Sequence, residues 1–377
     1  MKFNKFATDR LVIWTVVLAI LFGLTAGIVG QLVTATYLRS ADQGYAVGLS
    51  QPTVPELRHV KNFLGGDQDF QINQAVQKIK PTVAGFYNKK TASAAAVGQL
   101  YAPADLLANG FVLTSDGWVV SYNNSLTTKV AGLLAAVNGK FYTVDLLLRD
   151  PLTGVLFIKI NATNLPVASL GDSVDLASGQ LVTSVNNLSE VAVAYVKNDN
   201  FFNAQFGADY LASSEKFNHT IVLSMDLPKS YLGSPLIILN GDVVGVVSQT
   251  SLGTSVVPIN QFYSLVASVL KNHVIQRSAL GLTYLDLTKV MGIAEDLTQG
   301  QTRGALVYQA PLRSTPAGVA GVLKNDIIVK INDQSLDRDH SLTDLVQQYQ
   351  PGAKITMEIL RAGKALTVEV VLASLLQ

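Results

Sequence analysis

The 377-residue chain has no cysteine, only four histidines and two tryptophans, and charged side chains make up just 15% of it. The missing thiols exclude disulfides, thiolate catalysis and Cys-based zinc sites. They do not argue against an exported location, because a sufficiently large core needs no covalent staple. Basic and acidic residues number 28 and 27, for a net charge of +1, and neither sign gathers into a run. That balance excludes the basic stripe of a nucleic-acid binder, so no nucleic acid is expected as a partner. No metal and no cofactor are expected either. Apolar residues, by contrast, reach 49%.

One segment holds part of that apolar excess. No charged residue occurs from Leu11 to Leu38, and Leu11–Gly30 is nearly all Leu, Val, Ile, Ala, Phe and Gly. About 20 such residues at ~1.5 Å each cross a hydrocarbon core. The run is longer than the apolar region of a cleaved signal peptide, and no clear A-x-A site closes it. It is therefore read as a transmembrane anchor at 11–38, after a short cytoplasmic N-terminus at 1–10. Lys2, Lys5 and Arg10 precede it, whereas Arg39 is balanced by Asp42 after it. The positive-inside bias then keeps the N-terminus cytoplasmic and places the C-terminal domains outside, as in a single-pass protein of the cell membrane.

Residues 39–71, with Pro52, Pro55, Gly65 and Gly66, read as a linker. From 72 to 275, short β-rich runs alternate with turn signals. Phe111–Thr114 and Trp118–Ser121 flank Ser115-Asp116-Gly117, and Leu236–Leu239 and Asp242–Val247 flank Asn240-Gly241. Asn-Gly between apolar runs predicts a type I′ hairpin, in which both central residues need positive φ. Two such well-separated hairpins suggest two similar β-barrels. Gln261–Val274 predicts one helix, with Phe262, Leu265, Val266, Val269 and Leu270 on one face. The last unit, 276–377, alternates strands with short helices at Ala317–Val322 and Leu342–Tyr349, as a small α/β domain would. The fold class is thus mainly β: an N-terminal transmembrane helix, a double β-barrel domain and a C-terminal α/β domain.

The final unit resembles the PDZ domain of HtrA/Deg-type proteases over its whole length. Pro311–Ile328 matches that family's strand, small-residue helix and G-D-x-I turn, and Leu280-Gly281-Leu282 matches its carboxylate-binding loop. Such a loop turns successive backbone N–H groups toward one point, where a peptide's terminal carboxylate can sit. The peptide would then add as a strand beside Leu282–Tyr284, with the Leu342–Tyr349 helix as the other wall. The upstream region resembles the trypsin-like part of the same family in five ordered segments: Gln74–Phe86, Gly110–Asn124, Asp150–Ile160, Ala168–Ser173 and Gly233–Gly245.

The resemblance implies where a Ser-His-Asp triad would stand. Counting from Asp116 puts the histidine position at Asn124, counting from Asp150-Pro151 puts the aspartate position at Gly154, and the G-N-S-G-G-P motif puts the serine position at Leu232. Leucine has no nucleophilic atom, an asparagine amide cannot shuttle a proton near neutral pH, and glycine cannot orient an imidazole. The oxyanion hole is also in question, because Ser230 stands where the motif has its first glycine. Of the histidines, His59 falls in the linker, His273 at the junction and His340 in the PDZ domain, which leaves His219 as the one imidazole inside the barrels. Ser125, Ser230 and Ser234 are nearby hydroxyls with no adjacent base.

The expectation is a membrane-anchored, HtrA-like pseudoprotease that binds unfolded peptides or exposed C-termini through Leu280, Gly281 and Leu282, in a regulatory or scaffold role in extracytoplasmic protein quality control. The resemblance also implies a homotrimer, or a mixed oligomer with an active paralogue. The alternative is an active trypsin-like serine endopeptidase with a non-standard catalytic site. A third possibility makes the barrels a rigid platform for the PDZ domain.

Overall fold

The computed structural model describes residues 14, 15, 18, 19, 22, 23 and 25, and then 67–90, 96–126, 130–250 and 253–375. The chain divides into two units, Met1–Phe63 and Leu64–Gln377. In the first, the seven described residues are helical, and Trp14, Leu18 and Phe22, four residues apart, are exposed. The rest of the 11–38 segment, with 1–10 and 39–63, lies outside the described residues. Among the described residues no helix is long and apolar enough to cross a membrane.

The second unit begins with α1 (Asp67–Ile79), inside the stretch read as linker. Its apolar side chains recur at Ile72, Ala75, Val76 and Ile79, one face of a 3.6-residue period, and that face packs into the interbarrel core. Six strands then close a first barrel: β1 (Val83–Asn88), β2 (Leu106–Val112), β3 (Trp118–Tyr122), β4 (Leu133–Val137), β5 (Lys140–Arg149) and β6 (Val155–Ile160). Their order around it is β1-β2-β3-β6-β5-β4. Strands β7 (Leu181–Val185) and β8 (Val191–Phe202) start a second barrel. The short β9 (Leu211–Ser213) leaves it, and β10 (His219–Leu223), β11 (Pro235–Ile237), β12 (Val243–Thr250) and β13 (Gly253–Pro258) complete it. With β9 set aside, the second barrel repeats the connectivity of the first. Period-2 alternation explains strands buried on both faces. In β3, Val119 points into the first barrel's core, while Trp118, Val120 and Tyr122 face the layer between barrels.

Two features depart from expectation. The turn at Asn240-Gly241 is not type I′: Gly241 has φ +82 but Asn240 is not in the left-handed region. The amide of Gly241 bonds the Ile238 carbonyl at 2.8 Å and that of Ile238 bonds the Asp242 carbonyl at 3.1 Å, so one glycine at the end of the turn absorbs the reversal. The helix expected over 261–274 is broken into α2 (Asn260–Tyr263) and α3 (Val266–Asn272). Ser264 at the break sends its hydroxyl to the Gln347 carbonyl, and its own carbonyl accepts from Gln350 Nε2 at 3.0 Å. Bonds to the C-terminal domain thus replace bonds within the helix.

The C-terminal domain comprises β14 (Ser278–Ala279), β15 (Thr283–Asp286), α4 (Glu295–Thr298), β16 (Ala305–Val307), α5 (Pro316–Val319), β17 (Ile327–Ile331), β18 (Gln334–Ser335), α6 (Leu342–Val346), β19 (Lys354–Arg361), β20 (Lys364–Val371) and β21 (Ala373–Ser374). A capping box opens α6, with the Asp344 amide on Ser341 Oγ and the Ser341 amide on Asp344 Oδ2. The helix ends at Val346, short of the expected Tyr349, in tighter turns capped by Gln347. The main sheet runs β20-β19-β17-β16-β15-β9, so its last strand comes from the barrel region.

Candidate functional site

Asn124, Gly154 and Leu232 come to one place, around Tyr122. A Cβ built on Gly154 would lie 3.1 Å from the Tyr122 ring and 3.8 Å from Asn124 Oδ1, and Leu232 packs on the interbarrel layer that includes Tyr122. Leu232 follows a 3-10 turn at Lys229–Tyr231, and the amides of residues 231–234 are all engaged within the fold. The amides of Tyr231, Leu232, Gly233 and Ser234 bond the carbonyls of Pro228, Lys229, Val247 and Tyr231 at 2.9–3.0 Å. Asn109, which sequence reasoning missed, pins this turn. Its amide donates to the Leu232 carbonyl at 2.8 Å, and its side chain to the carbonyl of Ser230 at 2.7 Å. Nothing in its local sequence signals that role, because both partners lie more than 100 residues away. Gly233, at φ +81, sits against the Asn109 carbonyl where any Cβ would collide, which explains a glycine there.

The acid beside Gly154 is already engaged. Asp150 is fully buried and receives Arg277 Nε on Oδ1 at 2.9 Å and Nη2 on Oδ2 at 2.6 Å. No described histidine bonds a serine hydroxyl. His273 lies against the Trp118 ring, and His340 bonds Asp337. Ser230 Oγ donates to the Glu190 carboxylate at 3.2 Å, and Ser234 Oγ is buried with no partner. A cavity of about 600 Å³ is lined in part by Tyr87, Tyr101 and Phe141 of the first barrel and by Asn186 and Asn187 after β7, and none of Asn124, Gly154 and Leu232 borders it.

His219 heads β10 and is not a loop residue; its ring is buried toward the C-terminal domain. Nε2 lies 3.2 Å from Gln261 Nε2 and 3.7 Å from Asp344 Oδ1. Burial holds the imidazole below its ordinary value near 6.5, outweighing the opposing pull of Asp344, Asp286 and Asp339, and Lys289 adds to the lowering. The ring is therefore neutral in the folded state at neutral pH, whereas the unfolded chain takes up a proton below about pH 6.5. Its contribution is full above that value and is lost as pH falls toward the depressed folded-state value. Denaturant midpoints should therefore fall between about pH 7.5 and 5.5. His219→Gln should flatten that slope, and an unchanged slope would contradict the assignment.

In the Leu280–Leu282 loop Gly281 stands at φ +79. The loop holds a carboxylate from this same chain. Glu215 Oε1 accepts the amides of Leu280 and Gly281, each at 2.8 Å. Next to it the Ser214 amide donates to the Leu282 carbonyl at 3.0 Å, and the Leu282 amide to Ser214 Oγ at 2.9 Å. Upstream, β9 pairs antiparallel with β15 in the register Ser213↔Thr283, Ala212↔Tyr284 and Leu211↔Leu285. The far wall is α6 as expected: Thr343 Oγ1 donates to the Ser213 carbonyl at 2.8 Å, and Gln347 Nε2 to that of Ser214 at 3.3 Å.

Comparison with known proteins agrees with these two halves. The family model described as PDZ domain matches residues 278–372. A protein of Marinomonas sp. (strain MWYL1), named probable periplasmic serine endoprotease DegP-like, is 26% identical over 285 residues, covering 71% of this chain and 56% of its own length. The serine endoprotease DegS of Haemophilus influenzae (strain ATCC 51907 / DSM 11121 / KW20 / Rd) is 22% identical over 328 residues, covering 87% of this chain and 94% of its own. Among solved structures, the HtrA-type protease AlgW with tripeptide aligns with TM-score 0.58 at 22% identity, covering 81% of this chain and 98% of that one. The chain spans little more than half the length of the DegP-like relatives it matches. Twin barrels of one connectivity followed by a PDZ domain define a trypsin-like protease fold with a PDZ domain at its C-terminal end. Within that class the fold is similar to that of HtrA-type proteases.

Proposed function

We propose that this chain is a non-catalytic HtrA-like protein, a pseudoprotease, which is anchored in the cell membrane by residues 11–38 and binds exposed peptide C-termini through Leu280, Gly281 and Leu282 on the extracytoplasmic side. Its role is regulatory or scaffolding, in protein quality control. The observation that carries the reading is Leu232. An aliphatic side chain stands at the nucleophile position, and its amide, which an oxyanion hole would need, is bonded to the Lys229 carbonyl at 3.0 Å. Asn124 and Gly154 beside it supply neither a proton shuttle nor an orienting carboxylate. The apolar run Leu11–Gly30 and the basic residues before it support the anchor and its orientation.

The full chain should not cleave casein above a blank and should not be labelled by a serine-directed phosphonate. In a serine protease of another fold, loss of one triad member lowers turnover by about a million-fold, so the contrast with an active peptidase is large. Reproducible turnover abolished by a single Ser→Ala change would reject the reading in favour of an endopeptidase with a non-standard site.

A further inference from the structure

We propose that Leu211–Glu215 is a tethered ligand of the PDZ groove, so that the groove is closed by its own chain and opens to a free C-terminus only by competition. The inference rests on the peptide-binding reading of the Leu280–Leu282 loop. The segment runs antiparallel to β15 with Ser214 beside the loop, where the last residue of an added peptide would stand. The chain does not end there. It turns away through Lys216, whose amide returns to the Ser213 carbonyl at 3.2 Å. The required carboxylate is instead supplied by the side chain of the next residue, Glu215, held by two backbone amides and by the hydroxyls of Ser214 at 2.7 Å and Ser213 at 3.1 Å.

A strand that merely stapled the two domains together would need the backbone pairing but not a carboxylate on the loop amides. The segment also states which ligands the groove accepts. Ala212 and Ser214, two residues apart on the strand, are 4% and 0% exposed, and Ala212 joins the PDZ core. The accepted class is a peptide with a free carboxylate, a small last residue and a small residue two positions before it. Because β9 is inserted between β8 and β10, its release also frees a connection of the second barrel.

When only a fraction of molecules has an open groove, apparent affinity falls by that fraction. Intramolecular tethering keeps the fraction small, since a short linker acts as a millimolar local concentration. The probe is the hexapeptide Asp-Tyr-Leu-Ala-Ser-Ser with a free C-terminus, its amidated form as control, titrated against the full chain. Glu215→Gln weakens charge-assisted bonds and should tighten binding of the free-acid peptide about tenfold or more, with no gain for the amide. Ala212→Asp, which buries a charge in the same strand, should act in the same direction by an independent route. Hydrogen exchange at the amides of Ser214, Leu280 and Gly281 reads occupancy without added peptide: slow in the unaltered chain, faster in both variants. Equal affinity for all three proteins together with unchanged exchange would overturn the tethered ligand. Faster exchange in the variants with no peptide bound by any of them would keep the tether and reject peptide capture instead.

Discussion

Replacing Arg277 by leucine is expected to destabilise the protein by about 3–5 kcal/mol, because it strands Asp150 as a buried, unpaired carboxylate. Both side chains are enclosed, at 2% and 0% exposure, and the guanidinium grips both carboxylate oxygens while also donating to the Gln261 carbonyl at 2.7 Å. After the substitution Asp150 keeps only local donors, Thr153 and the weak Leu152 amide. The pair's net worth is smaller than this loss, since two charges had to leave water to form it. Moreover, Arg277 Nη1 is buried with no hydrogen-bond partner. Adding Asp150→Asn to Arg277→Leu should therefore recover part of the stability, and denaturant midpoints of the two single variants and the double variant measure it. If Arg277→Leu alone shifts the midpoint no more than a surface change would, the pair does not hold the junction.

The position of that pair explains why a change so far from any predicted site should matter. Asp150 opens the turn that carries Gly154 in the first barrel, and Arg277 lies between α3 and β14 at the junction with the PDZ domain. The Arg277 carbonyl also receives the Leu375 amide at 2.7 Å. One buried ion pair thus joins the Asp150–Gly154 turn, the helical connection and the segment at Leu375. Beside it, the Ser264 break and the capture of β9 by β15 bind the second barrel to the PDZ domain.

The sequence revealed patterns that repeat locally, and the structure adds what depends on distant partners. Alternation in Trp118–Tyr122 was legible because it records its own burial, whereas the start of α1 was read as linker. The barrel pair was inferred from hairpins at Asp116-Gly117 and Asn240-Gly241, yet these join β2 to β3 and β11 to β12, which are not equivalent positions in the two barrels. The inference of two barrels stood because both barrels are six antiparallel strands of the same order. Leu280-Gly281-Leu282 was legible from its place in a longer pattern, but its occupant was not. Ser213-Ser214-Glu215 reads as an ordinary polar loop, and its meaning arises from amides 65 and 66 residues downstream. Asp150 and Arg277, separated by 127 positions, carried no local signal at all.

Placing His, Asp and Ser together at positions 124, 154 and 232 should not produce catalysis. The variant Asn124→His, Gly154→Asp, Leu232→Ser is expected to cleave casein no more than about tenfold faster than a Leu232→Ala control, against the roughly million-fold contribution of a working triad. Half of the machinery is geometrically within reach, since Asn124 Oδ1 and the site of a Gly154 side chain are only 3.8 Å apart. Aspartate tolerates a positive φ better than most residues, although at φ +75 its Cβ would press on the Tyr122 ring at 3.1 Å. The serine is where the substitution fails. Its hydroxyl would sit on a turn fixed from below by Asn109, in which the amide of position 232 is itself donated to the Lys229 carbonyl, so that N–H does not face a developing oxyanion. One missing oxyanion donor alone costs about 10²–10³ in turnover, and a serine in place of Leu232 also takes apolar contact from the interbarrel layer that holds the turn. Side chains can be replaced singly, whereas this backbone arrangement is set by Pro228, Lys229 and Asn109 together. Phosphonate labelling of the serine introduced at position 232, at a rate typical of an active peptidase, would mean that the turn reorganises around a nucleophile and that its backbone is no barrier to catalysis.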